Sequence, residues 1–177
     1  SGTPKLRAIM EMALMDMIDT LSAQDAVIAQ NETQRRAMWE RREAAAEITV
    51  GIPGSIDVDI AVPLDDVPTF LHQVSAQVQK IDPTGQEFYV SHLGDGNLHY
   101  IFYPSDTSGI FKEPITEAIE DVVLGLNGSF SAEHGIGLSK RNSMARRKDP
   151  VALDMMRTIK SAFDPKNLMN PGNVSPD

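Results

Sequence analysis

The chain has 177 residues, 41% of them hydrophobic, and a formal charge of −9 from 25 acidic against 16 basic side chains. That is material for one domain or slightly more with its own core, and the acidic balance argues against a nucleic-acid partner, which needs a basic face. There is no cysteine, hence no disulfide framework, thiolate metal site or cysteine nucleophile. No run approaches a membrane span and no signal-peptide pattern is visible, so the expected location is the cytoplasm or the periphery of the inner membrane.

Ser1-Gly2 does not resemble a natural start, and the expectation is an excised piece of a longer protein. Thr3-Pro4 reads as an N-cap followed by proline at the first helical position. Leu6, Ile9, Met10, Ala13, Leu14, Met17, Ile18 and Leu21 then follow helical spacing. The methionines at 10, 12, 15 and 17 are read as core filling. Asp25 to Ala29 is a short strand candidate. Asn31 caps the next helix, with Gln34 completing a capping box. That helix runs from Glu32 to about Glu47 and carries four arginines around Trp39. Most of them suit a solvated face, and one could clamp a carboxylate.

After a turn over residues 51–55, Asp57 to Val62 alternates as a strand and stops at Pro63. Leu64 opens a helix that reaches Lys80 and carries His72, read as a surface histidine. A loop at Asp82-Pro83-Thr84-Gly85 leads into two aromatic and β-branched runs flanking Leu93-Gly94-Asp95-Gly96-Asn97, which is a hairpin signature. Pro104 ends its second strand. A helix follows from Lys112 to about Leu126, closed by Asn127-Gly128. Ser129 to Ala132 is a short strand that delivers Glu133-His134. Ser139 caps a basic helix, and Asp149-Pro150 begins the last one, which ends near Phe163. Alternating helices and strands would suggest a parallel sheet, but the hairpin contradicts that. The expected class is α+β, an antiparallel sheet with helices packed on one face.

The chemistry concentrates in the two glycine-rich stretches, which hold three of the four histidines. With Asp95-Gly96 as a two-residue turn, His92 sits directly opposite His99, with Cβ atoms about 4.5–5.5 Å apart. Both imidazoles then reach one cation, at about 2.0–2.1 Å each for zinc. A cross-strand aromatic pair on a plain turn is the alternative. Glu133-His134-Gly135-Ile136-Gly137 adds a carboxylate and a further imidazole. Adjacent strand residues point to opposite faces, so the glycines must bend the backbone for both to converge. Two histidines and the glutamate can hold a divalent metal with open positions, leaving one histidine for acid–base work. An EF-hand is excluded by spacing.

His92-Leu-Gly-Asp-Gly-Asn-Leu-His99, Glu133-His134-Gly-Ile-Gly137 and the tail Phe163-Asp-Pro-Lys-Asn-Leu-Met-Asn-Pro-Gly172 closely resemble the C-terminal domain of the FAD-linked oxidases, the group of D-2-hydroxyglutarate, D-lactate and glycolate dehydrogenases. Trp39-Glu-Arg-Arg42-Glu43 and Asp59-Ile-Ala-Val-Pro63 match earlier landmarks of that family, so the resemblance spans nearly the whole chain in order. It implies one ferredoxin-like C-terminal domain over residues 1–177, truncated at its N-terminal side, with 163–177 as a tail returning toward a flavin-binding domain that this chain lacks. It further implies His92, His99 and Glu133 as ligands of a divalent metal, zinc or manganese. His134 is implied as the base for the substrate hydroxyl, and Arg42 as the partner of the substrate carboxylate. FAD is the implied hydride acceptor, with a downstream electron acceptor beyond it, and the chain alone is expected to be inactive. An interface stripped of its partner also favours a homodimer.

Three positions depart from the hydroxyglutarate-type pattern. Ala46 stands where those proteins have Thr, Asp57 where they have Lys, and Ile101 where they have Asn. The loss of these polar groups argues for a smaller 2-hydroxy acid such as lactate or glycolate. A further departure is Asn173 in place of Lys after the Asn-Pro-Gly of the tail. Two other readings compete with the dehydrogenase: a His-His-Glu zinc hydrolase with His134 as general base, and a non-catalytic ferredoxin-like binding module.

Overall fold

A computed structural model describes residues 4–20, 26–49, 52–92 and 94–173. The chain divides into two compact units, residues 1–48 and 49–177.

The first unit holds helix α1 (Pro4–Thr20) and most of helix α2 (Glu32–Thr49). Asn31 caps α2 as expected, its Oδ1 accepting the Gln34 N–H at 2.9 Å. Gln34 answers one residue earlier than the standard box, accepting the N–H of Gln30 at 2.7 Å. Two expectations fail here. Residues 26–29 are irregular rather than a strand (Asp25 lies outside the described residues). Without a neighbouring strand to pair with, their backbone has no ladder to join. Met10, Met12, Met15 and Met17 are exposed rather than core filling.

The second unit is built on strands β1 (Ile56–Ala61), β2 (Gln86–His92) and β3 (Asn97–Tyr103), in the spatial order β1-β3-β2 with both pairings antiparallel. A 3-10 turn at Leu64–Asp66 and helix α3 (Val67–Ile81) connect β1 to β2. Helix α4 (Lys112–Gly125) follows β3. The chain then returns to the outer edge of β1, where Ala61 and Ser129 exchange both backbone hydrogen bonds, at 2.9 and 2.7 Å. This β-α-β-β-α-β order is the ferredoxin-like arrangement. Its fourth strand is reduced to that single bridge, so the strand expected over Ser129–Ala132 does not form. Gly128 explains the close return: a Cβ there would lie 2.4 Å from the Ala61 carbonyl oxygen and 2.9 Å from Val123 and Val62 side-chain carbons.

Strand alternation divides the sheet into two faces. Ile56 and Ile60 of β1 with Leu98, Tyr100 and Phe102 of β3 turn toward the helices. They meet Phe70, Val74 and Val78 of α3 and Ile115, Ile119 and Val123 of α4, all buried. Spacings of four residues put each helical set on one stripe. Burying each such side chain is worth about 1.5–3 kcal/mol, which anchors β3 as the central strand. Glu87 accepts from Tyr100 Oη at 2.6 Å and from Ser75 Oγ at 2.8 Å. Burial, with the Glu87 carboxylate, pushes the Tyr100 phenol far up.

The remaining helices, α5 (Arg141–Arg147) and α6 (Pro150–Phe163), add a small second core of Phe130, Met144 and Leu153. Asp149 caps α6 through the Ala152 N–H at 2.9 Å. Ser139, expected to cap α5, instead lies in the turn before it. Lys140 holds the cap position with no side-chain cap bond, because an ammonium has no acceptor to offer the helix N–H groups.

Candidate metal and acid–base site

The face of the sheet opposite α3 and α4 carries the chemistry. Its positions are Asp57, Asp59 and Ala61 on β1, Asn97, His99 and Ile101 on β3, and Phe88, Val90 and His92 on β2. The β3 alternation that sends Leu98 and Tyr100 into the core sends His99 the other way.

The hairpin register differs from the two-residue turn expected. His92 pairs with Asn97, and His99 pairs with Val90. The loop between β2 and β3 is therefore four residues, 93–96. The cause is a tertiary contact. Gly96 (φ +76°) packs so closely on the end of β1 that a Cβ would lie 2.1 Å from the Val62 oxygen, and its own carbonyl accepts the Val62 N–H at 3.1 Å. Asp95 closes the loop by accepting the Asn97 N–H at 3.3 Å and donating its own N–H to the His92 carbonyl at 3.1 Å. The shift is two residues, an even number, so His92 and His99 keep the same face as diagonal neighbours. Their ring centroids are 5.7 Å apart.

Glu133 and His134 reach this face from the loop after the Ser129 bridge. Asp59, 2% exposed, accepts both of their backbone N–H groups on one oxygen, Oδ2, at 2.8 and 2.9 Å. Two consecutive N–H groups aimed at one atom require a turned backbone, which Gly135 (φ +69°) continues. In consequence the His134 ring stacks on His99 at 5.4 Å between centroids. The Glu133 carboxylate lies 3.7 Å from His92 Nε2 and accepts a hydrogen bond from Asn97 Nδ2. Asn97 thus orients the glutamate from the position directly across the hairpin from His92.

Two overlapping donor sets result, His92–His99–Glu133 and Asp59–His99–His134, each with ligand atoms within 4.8 Å of one another. The first set suits a divalent metal. Two ligands about 2.0–2.1 Å from a tetrahedral zinc lie about 3.4 Å from each other, and the His92–Glu133 separation is within a few tenths of an ångström of that. Two neutral imidazoles and one carboxylate also leave positions for substrate or water, as catalytic zinc sites do. In the second set Oδ2 of Asp59 is already committed to two backbone N–H groups and lies 3.7 Å from the Lys140 ammonium. Burial pushes the Asp59 carboxyl up, but the N–H groups of His134 and Glu133 outweigh it. With Lys140, they hold Asp59 below its ordinary range. Burial in turn lowers Lys140, opposed by the Asp59 charge.

Arg42 lies on α2 in the first unit, whereas the cluster is formed entirely by residues of the second. His72 is exposed on α3, as expected of a surface histidine. Three residues of the network, Asp59, Asn97 and Lys140, were not among the sequence candidates. Asp59 had a visible signal: an acidic side chain on the histidine-bearing face of an edge strand. Lys140 had none, being one cation among five in a basic segment.

Residues 2–174 match the family model of FAD linked oxidases, C-terminal domain. The chain is 34% identical over 155 residues to a D-2-hydroxyglutarate dehydrogenase of Stutzerimonas stutzeri, covering 85% of this chain and 33% of that protein. It is 32% identical over 156 residues to a probable mitochondrial D-lactate dehydrogenase of Danio rerio, covering 85% and 31%. To the mitochondrial D-2-hydroxyglutarate dehydrogenase of Bos taurus it is 30% identical over 168 residues, covering 92% and 30%. The chain spans about a third of the length of these curated relatives.

Proposed function

Because the chain belongs to the family of FAD-linked oxidase C-terminal domains, we propose that it is the substrate- and metal-holding domain of an FAD-dependent dehydrogenase. Its reaction would be oxidation of a small D-2-hydroxy acid, of the lactate or glycolate type, to the 2-oxo acid. The observation that carries this reading is the convergence of His92, His99 and Glu133 on one sheet face with a further imidazole, His134, stacked beside them.

Each residue has a role that its chemistry suits. His92, His99 and Glu133 would hold the divalent ion, zinc or manganese. His134 would take the proton of the substrate hydroxyl as the α-carbon gives up its hydride, and a neutral imidazole suits that task near neutral pH. Arg42 would fork onto the substrate carboxylate. When bound, the metal supplies Lewis acidity that lowers the hydroxyl pKa, and FAD, held mainly by a separate domain, supplies the hydride acceptor.

The narrower substrate class rests on the same sheet face. Ile101 is buried two residues along β3 from His99. Asp57, paired with it across β1, adds negative charge. An apolar side chain and an anion disfavour a second substrate carboxylate, which a hydroxyglutarate carries and lactate or glycolate does not. The full protein's partners under this reading are the flavin-binding domain, a downstream electron acceptor and a second copy of itself. Among the described residues no helix is long and apolar enough to cross a membrane; the location proposed for the full protein is the cytoplasm or the periphery of the inner membrane.

The test joins this chain to a flavin-binding domain of the family and measures dye reduction with D-lactate, glycolate and D-2-hydroxyglutarate. Turnover should be highest with one of the two smaller acids, require the flavin domain, and be lost in His134→Gln. Preference for D-2-hydroxyglutarate would overturn the substrate class. Ester or amide hydrolysis by the chain alone, with metal and no flavin, would instead establish the hydrolase.

A further inference from the structure

We propose that Asp59 is a positioning residue of this site: it holds the Glu133–His134 turn by both backbone N–H groups and faces His134 Nδ1, so that the ring carries its proton on Nδ1 and keeps the Nε2 lone pair free. The proposal rests on reading His134 as the base.

The geometry gives Asp59 two functions at once. Its Oδ2 accepts the Glu133 and His134 N–H groups at 2.8 and 2.9 Å, which sends one side chain toward His92 and the other onto His99. The same oxygen lies 3.8 Å from His134 Nδ1. That is an electrostatic contact, beyond hydrogen-bond distance. A carboxylate at that range favours the tautomer that presents an N–H to it over the one that presents a lone pair. Which ring nitrogen is protonated is set by the partner of the other, the logic by which a buried aspartate sets the catalytic histidine of a serine protease. The carboxylate's acceptor capacity is not exhausted, since Oδ1 is buried without a hydrogen-bond partner in the structure.

Lys140 makes this arrangement tolerable inside the protein. A buried carboxylate needs a compensating charge, and the Lys140 ammonium is 3.7 Å from Oδ2. It also donates to the Asp59 carbonyl at 3.3 Å and to Ser131 Oγ at 3.0 Å. Ser131 in turn donates to the Gly135 carbonyl at 2.8 Å. One lysine thus ties strand β1 to both ends of the loop that presents Glu133 and His134, and one aspartate ties down its middle.

The experiment is long-range 1H–15N correlation on the 15N-labelled 177-residue chain, metal-free and above the imidazole titration range. His134 is assigned by its absence in His134→Gln. His134 should be found as the Nδ1–H tautomer. In Asp59→Asn, the amide oxygen can take the place of Oδ2 at the two backbone N–H groups, but the negative charge beside Nδ1 is gone. The Nδ1–H preference should then weaken and the Nε2–H population rise, while the β1–β3 amide shifts stay in place. A wild-type His134 in the Nε2–H form, or an Asp59→Asn protein with an unchanged Nδ1–H fraction, overturns the proposal. The wild-type spectrum decides alone should the variant fail to fold. An Nδ1–H His134 combined with full turnover of His134→Gln in the flavin-joined protein would support the positioning and refute the base.

Discussion

The two glycines of the hairpin loop, two residues apart, should respond unequally to alanine. Gly96 sits at φ +76°, where an added Cβ would lie 2.1 Å from the Val62 carbonyl oxygen, whereas a Cβ added to Gly94 would have no atom within 4 Å. Left-handed backbone costs an alanine about 1–2 kcal/mol. The contact cannot be relieved by a side-chain rotation because the obstacle is backbone, so the loop must lift. The Val62 N–H to Gly96 carbonyl bond at 3.1 Å would then be lost, for about 0.5–1.5 kcal/mol more. Gly96→Ala should therefore destabilise the chain by about 1.5–3.5 kcal/mol. Gly94→Ala should fall within about 0.5 kcal/mol of the parent. Urea unfolding followed by circular dichroism gives both numbers. The same variants in a zinc titration add a functional reading, since lifting the loop moves Asn97 and with it the orientation of Glu133. Equal midpoints for the two variants would refute the claim that a contact with β1 sets the hairpin register.

Two further outcomes follow from the site and the tail. The parent, purified without chelator, should carry about one divalent ion per chain, and His92→Ala and His99→Ala should each abolish it in elemental analysis. A metal-free parent, or full occupancy in either variant, would remove the His92–His99–Glu133 assignment. In the tail, Asp164 is held down at about 2, chiefly by the hydrogen bond from Lys160 against the opposing effect of burial, with help from the Leu168 and Met169 N–H groups. A depressed carboxyl stabilises the fold above its unfolded pKa near 4 and loses that contribution as pH falls toward 2. Protection factors for hydrogen exchange at Leu168 and Met169 should fall over that window in the parent, and Asp164→Asn should flatten the dependence. An unchanged profile in the variant would sink the assignment.

Which face each histidine occupies was legible because side-chain direction in a strand is a matter of parity. Once Leu98, Tyr100 and Phe102 are known to be apolar and to face a core, His99 must face away. The same parity protected the reading against a wrong register, since an even slip leaves His92 and His99 on a common face. Capping was also local: the Asn31 and Asp149 side chains each find a backbone N–H within three residues. The errors share a different origin. The strand expected at Asp25–Ala29 has the right residue types, but a strand exists only where a second one pairs with it. Ser129–Ala132 has no β-branched residue and makes one bridge, because the chain turns away at once to meet Asp59.

The sequence by itself determined the periodicities, the caps and the stock of imidazoles and carboxylates, since these depend on dihedral preferences and on neighbours a few residues away. The tertiary structure alone decided the hairpin register, through Gly96 against Val62, and the presentation of Glu133 and His134, through an aspartate 74 and 75 residues earlier in the chain. Contacts across such separations leave no local pattern to read. They form because the packed core of β3, α3 and α4 brings the end of β1 and the loop after Ser129 to one place, where a buried carboxylate must find donors and two backbone N–H groups are within reach.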